Sequence, residues 1–144
     1  MFVMTLVSVV SAGAYDVLKL RDGADCAALG TGPAVRDELI TLAEGDVAPS
    51  YVPVRAAECL VEGFAADPVV VARAKAWVVE SRWAGLGILV AEEEARFSTE
   101  DAVAIARAAV AGSDPRVRER VVRRFLKSER GDVRSVVDES AGGR

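Results

Sequence analysis

Apolar residues recur at helical spacing along most of this chain, and the stretch from Ser113 to Lys127 shows the pattern most completely. Asp114 is a good N-cap, and Pro115 suits the first helical position, where a missing N–H costs nothing. Val117, Val121, Val122, Phe125 and Leu126 then share one face at about 100° per residue. Arg116, Arg120, Arg123, Arg124 and Lys127 share the opposite one, so the spacing predicts an amphipathic helix with a basic stripe. Arg118 is the exception, because it falls in the middle of the apolar face.

Other segments read the same way. Pro33 follows a Gly-Thr-Gly break and opens a helix with Val35, Leu39, Ile40 and Leu42 on one face, stopped by Gly45. Its partner runs from about Tyr51 to Ala65, with Pro53 in the first turn and Val52, Ala56, Cys59, Leu60 and Phe64 at core spacing. Asp67-Pro68 repeats the cap-and-proline start, and Val70, Val71, Ala74, Trp77 and Val78 form the next apolar face. Trp83 to Ala91 is apolar all round, as a buried central helix is. The acidic run Glu92 to Glu94 opposes a helix C-terminal dipole, so that helix is expected to continue through Arg96. Ser98 or Thr99 caps a further helix with Val103, Ala106 and Val110 facing inward, and Gly112 ends it. Past Lys127 the pattern decays: Val133, Val136 and Val137 sustain one more turn, and Ser140 to Arg144 is expected to be disordered.

The placement of apolar positions after Val52 recurs after Val117, with the all-apolar segment near their midpoint, which gives a period in the low thirties of residues, roughly, within the range of helical repeats. On Asp114-Pro115-Arg116-Val117-Arg118 and Val52-Pro53-Val54-Arg55-Ala56-Ala57-Glu58-Cys59-Leu60, the chain resembles the HEAT-repeat family, including HEAT-like repeats of the phycobilisome-lyase type. The resemblance covers roughly Pro33 to Lys127 and implies an all-α fold, a short α-solenoid of about three antiparallel helix pairs. It also implies that Asp114-Pro115 begins the second helix of a pair and that Arg118, with Asp114, takes a structural place in an Asp/Arg ladder between repeats. The domain reading is a leader over 1–14, a repeat domain over 15–130 and a polar tail over 131–144.

Composition narrows the function. A formal charge of −4 over 144 residues argues against a general nucleic-acid binder, whose affinity comes largely from neutralising phosphates. Histidine is absent, which removes the commonest general base and metal ligand. No catalytic constellation, cofactor or metal set is expected. Gly85-Leu86-Gly87 lacks the third glycine and the Gly-Lys-Ser/Thr of a phosphate loop, and reads as a packing accommodation. Glu92 to Glu94 reads as a solvated face, since adjacent helical residues do not converge on a cation. Trp77 lies in a core register; Trp83 is either core or an anchor for a partner. An Arg in an apolar setting such as Arg118 is usually paired, and Asp114 stands one turn before it.

Met1 to Ala14 carries no charged side chain, is apolar from Phe2 to Val10 and ends in an Ala-x-Ala pattern before Tyr15, so it reads as a signal peptide, with a buried first helix or strand as the other reading. It is too short to span a bilayer. Cys26 and Cys59 have no metal-ligand spacing. In an exported chain they would pair and tie a short helix, about Asp22 to Leu29, onto the helix carrying Cys59; otherwise they are two buried thiols.

These readings converge on an exported, non-enzymatic helical repeat domain that binds or scaffolds an unidentified protein partner, with Arg116, Arg120, Arg123, Arg124, Lys127 and Trp83 as candidate contacts. The alternative is a cytoplasmic module binding nucleic acid or an acidic partner through the basic stripe, analogous in fold to HEAT-like DNA glycosylases. A third is a lyase-like accessory factor, for which no residue of this chain matches an activity. Export makes a sharp prediction. Intact mass of native material, alkylated before denaturation, is expected to start at Tyr15 with no alkylation and two hydrogens missing; a chain starting at Met1 with both cysteines alkylated rejects it.

Overall fold

The structure is a computed structural model that describes residues 13–19 and 26–142. Within them the chain is all-helical, with eight α-helices and no strand. No helix among these residues is long and apolar enough to cross a membrane. Except for Gly13 and Ala14, the expected leader lies outside the described residues, as do residues 22–25 of the expected N-terminal helix.

Helix α1 (Ala14–Leu18) is short, and a 3₁₀ turn follows at Cys26–Leu29. Helices α2 (Pro33–Glu44) and α3 (Val52–Phe64) begin with proline in their first turns, as expected from the missing N–H. Helix α4 (Pro68–Trp77) is capped by Asp67, whose carboxylate accepts the Val69 N–H at 2.9 Å. A 3₁₀ turn at Ser81–Trp83 leads into α5 (Ala84–Glu92). Ser98 caps α6 (Thr99–Ala111) by accepting from Asp101 N–H at 3.1 Å, and α7 (Pro115–Phe125) and α8 (Gly131–Gly142) complete the described chain.

The helices pack in two interleaved rows. Helices α3, α5 and α7 touch in succession, α4, α6 and α8 do the same, and α2 packs on α3, α4 on α5 and α6 on α7. Between the rows lie the inaccessible side chains of Leu60, Trp77, Val90, Ile105 and Phe125. Burying each such side chain contributes about 1.5–3 kcal/mol. Gly87 lets α5 approach α4: a Cβ there would lie 3.0 Å from both the Trp77 carbonyl carbon and Val78 Cα. The packing role expected of the Gly85-Leu86-Gly87 segment therefore belongs to Gly87, while Gly85 faces open space.

Polar contacts between distant segments share one span. Tyr15 Oη donates to the Ala48 carbonyl across 33 residues, Arg36 to Asp67 across 31, Arg73 to Glu44 across 29, and Arg130 to the Ala95 carbonyl across 35. Cys26 and Cys59 stand at disulfide distance, S–S 2.11 Å, across 33 residues, and tie the first 3₁₀ turn to α3. These links span 29 to 35 residues each, close to the period inferred from the apolar pattern.

Four sequence expectations are corrected. In α6 the fully buried line is Ala102, Ile105, Ala106 and Ala109, with Val103 and Val110 only half-buried, because α4, α7 and α8 all approach it and alanines allow the closest contact. The helix ending at Glu92 does not run on through Arg96; a 3₁₀ turn at Glu94–Arg96 delivers Phe97 into the core. Residues 131–142 are not a decaying tail but helix α8, held on α6 by inaccessible Val133 and Val137. The segment before Leu29 is a 3₁₀ turn, not a helix, where it is described. At the leader boundary, the Gly13 carbonyl accepts the N–H groups of Asp16 and Val17, and Ala14 is buried, so a cut before Tyr15 removes part of the first turn of α1.

Two stability predictions follow from this packing. Gly87→Ala should lower the melting temperature by several degrees, about 1–3 kcal/mol of overpacking, whereas Gly85→Ala should leave it unchanged or raise it by up to ~1 kcal/mol; shifts of the same sign and size would contradict the packing described. Arg36 and the Val69 N–H hold the Asp67 carboxyl below its usual value. Its folded pKa is depressed, so its contribution is present above about pH 4 and lost as pH falls through the folded value. Asp67→Asn should therefore lower the melting temperature at neutral pH, with the gap to wild type closing in acid.

Candidate protein-binding surface

The basic stripe of α7 is placed by its N-terminus. Asp114 accepts the Arg116 N–H at 2.9 Å, and burial of Val117, Val121 and Phe125 against α5 and α6 turns the opposite face outward. Arg120, Arg123, Arg124 and Lys127 then line, with Ile88 of α5, a depression of about 320 Å³ in the groove between α5 and α7. Arg116 is exposed at the start of the helix and does not line it. Arg124 is answered by Glu92 at 2.9 Å, a pair with both side chains more than 40% exposed and hence well screened. Arg120, Arg123 and Lys127 make no ion pair within the chain among the described residues.

A second cleft of about 410 Å³ continues this groove, sharing Arg124 and Lys127 and extending to Ala91, Glu94, Ser128 and Arg130. Its floor corrects the reading of the acidic run as a solvated face. Glu94 is buried, accepts a short hydrogen bond from Ser128 Oγ, and lies 3.8 Å from Arg130 Nε without a hydrogen bond to it. Ser128 Oγ in turn accepts the Arg130 N–H at 3.0 Å, and the Arg130 guanidinium donates to the Ala95 carbonyl at 2.6 Å. Glu94 Oε2 and Arg130 Nη1 remain buried without a hydrogen-bond partner. Of the run, only Glu92 and Glu93 behave as surface carboxylates, Glu93 pairing with Arg96 at 3.0 Å.

The remaining sequence candidates lie elsewhere. Trp77 is fully buried and donates its indole N–H to Glu44 at 3.2 Å. Trp83 is half-buried, with the guanidinium carbons of Arg82 and Arg73 at 3.9 and 5.1 Å from its ring centre. It lines a different groove, with Glu44, Pro53, Val54 and Leu86, and is not brought to the basic stripe. Arg118 does not pair with Asp114, whose carboxylate is taken up by capping; it donates to the Gly112 carbonyl at 2.8 Å and closes the corner between α6 and α7. Ion pairs between distant helices occur at Arg36 with Asp67 and Arg73 with Glu44.

Sequence reasoning missed Ile88, Glu94, Ser128 and Arg130. The separation of Glu94 from Ser128, 34 residues, was a usable signal, since it is close to the span of the other long-range polar links. Among the described residues no cluster of His, Cys, Asp and Glu could hold a metal ion. Compared with known proteins, the chain matches no family model, no curated protein and no solved structure significantly.

Proposed function

We propose that this chain is an exported, non-enzymatic, HEAT-like helical repeat domain that binds a carboxylate-bearing protein surface along the groove between α5 and α7. The repeat reading is supported by the succession of helix contacts and the common span of the polar links. Export is supported by the disulfide-distance pair of Cys26 and Cys59, a bond that persists in oxidising compartments.

One observation carries the binding reading: four cations converge on a single depression that one exposed carboxylate answers. Like charges held this close oppose one another unless counter-charge arrives from outside the chain. Guanidinium groups suit carboxylates, which they bind in paired hydrogen bonds, and Ile88 supplies an apolar contact at the centre. Nucleic acid is the competing ligand for such a stripe, and the acidic remainder of the chain disfavours it.

The test is fluorescence anisotropy at low salt with a labelled polyglutamate peptide and a labelled short DNA duplex. The peptide is expected to bind, and replacing Arg120, Arg123 and Lys127 by Ala is expected to weaken it about tenfold or more without altering the melting curve. Peptide binding that is absent, or untouched by the replacements, rejects the proposal. Tighter binding of the duplex would favour the nucleic-acid reading.

A further inference from the structure

Building on that reading of the α5–α7 groove, we propose that the carboxylate-bearing surface it accepts is the acidic groove of a second copy of this chain. Helix α5 runs between two grooves in the row formed by α3, α5 and α7. On one side lies the basic depression of Arg120, Arg123, Arg124 and Lys127. On the other, Glu58 and Glu62 of α3 meet Glu93 and Arg96 around a depression of about 190 Å³. The far side of this row is covered by α2, α4 and α6, so both grooves open on the same face.

The two grooves are complementary in more than sign. Arg96 is engaged by Glu93, which leaves Glu58 and Glu62 as exposed carboxylates with no ion pair inside the chain among the described residues. Arg120, Arg123 and Lys127 are in the same position on the basic side. Opposite charges therefore sit on one face without neutralising one another internally. Each side also brings an apolar residue. Val54, 40% exposed, stands one helical turn before Glu58 on the line Val54, Glu58, Glu62, while Ile88 stands among the arginines.

Bipolar charge on one face has a definite symmetry consequence. A two-fold axis passing near α5 places the acidic groove of each protomer over the basic groove of its partner, so every contact is made twice and the assembly closes as a dimer. The same surface laid on an unrelated neutral protein would leave both sets of charges unanswered. Complementarity of this kind fixes register and makes association sensitive to salt.

The experiment is sedimentation equilibrium of the full chain, with three further samples: Arg120→Glu/Arg123→Glu, Glu58→Lys/Glu62→Lys, and an equimolar mixture of the two. Circular dichroism melts confirm that each variant is folded. Wild type is expected to dimerise at low salt, with its dissociation constant rising about tenfold or more on going to several times the salt. Each variant alone is expected to be monomeric, because the charge complementarity between its two grooves is lost. Mixing them should restore a dimer, as the acidic pair at 120 and 123 of one variant meets the basic pair at 58 and 62 of the other, beside the unaltered acidic and basic grooves. A wild type that stays monomeric, a dimer that survives either reversal, or a mixture that stays monomeric would overturn the inference. Polyglutamate binding by a monomeric wild type would show that this inference alone had failed; loss of both would remove the groove reading as well.

Discussion

A buried indole has one N–H to satisfy, and in this chain that need fixes how the end of α2 meets α4. Trp77 is inaccessible to solvent, and its N–H reaches the Glu44 carboxylate at the end of α2. The Glu44 carboxylate is largely withdrawn from solvent, and Arg73, one turn before Trp77, offsets its lost hydration with two hydrogen bonds. Arg73 also lies 5.1 Å from the Trp83 ring centre, so the same guanidinium reaches the turn that launches α5. Behind Trp77, Gly87 is bare because the Trp77 backbone occupies the space a side chain would need. One residue thus settles an acid and its paired base through its ring, and a glycine and the approach of two helices through its backbone. Removing any one partner leaves a buried polar group unpaired or a clash, each of which costs on the order of 1–3 kcal/mol.

The division of charge follows from the same packing. Acidic and basic residues that link one pair to the next, Arg36 with Asp67 and Arg73 with Glu44, connect α2 to α4 or to its cap. The row of α3, α5 and α7 is joined mainly through apolar side chains. Its exposed charges are correspondingly free to follow function, and they segregate: carboxylates beside α3, guanidinium groups along α7. The Arg124–Glu92 pair marks the point at which α5 meets the basic side.

Much of this was legible from residue order, and the failures have physical causes. Pro33, Asp67-Pro68, Ser98 and Asp114-Pro115 mark helix starts because capping and the lost proline N–H are local effects. The apolar lines read for α3 and α4 are buried as expected, and only Ala57 and Val61 of α3 extend the core beyond them. The α6 face was misjudged because Val103 to Val110 is almost wholly Ala, Val and Ile, so periodicity cannot select the side on which α8 will pack. Glu94 was misjudged because burial of a carboxylate depends on Ser128 and Arg130, which lie more than 30 residues away in sequence, roughly the span of the other long-range links. Arg118 was placed on the right face but given the wrong acceptor, since a cap occupies the carboxylate that spacing alone would assign to it.

The two ends of the rows bear on where a partner can bind. Helix α1 is fixed to the first pair by three links: Tyr15 Oη to the Ala48 carbonyl, Tyr51 Oη to the Lys19 carbonyl, and Arg55 to the Leu18 carbonyl. Leu18 is fully buried by them, so α1 covers apolar surface that α2 and α3 would otherwise expose. Helix α8 does the same for α6 through Val133 and Val137. Stacked helices with an uncovered apolar end associate through that end, whereas covered ones must use a lateral face. With α1 and α8 in place, the large apolar side chains exposed among the described residues are scattered, Val54, Val69 and Leu126, and no two share a helix. Among the described residues no broad apolar patch competes with the charge pattern on α3, α5 and α7, which supports that pattern as the feature directing a partner.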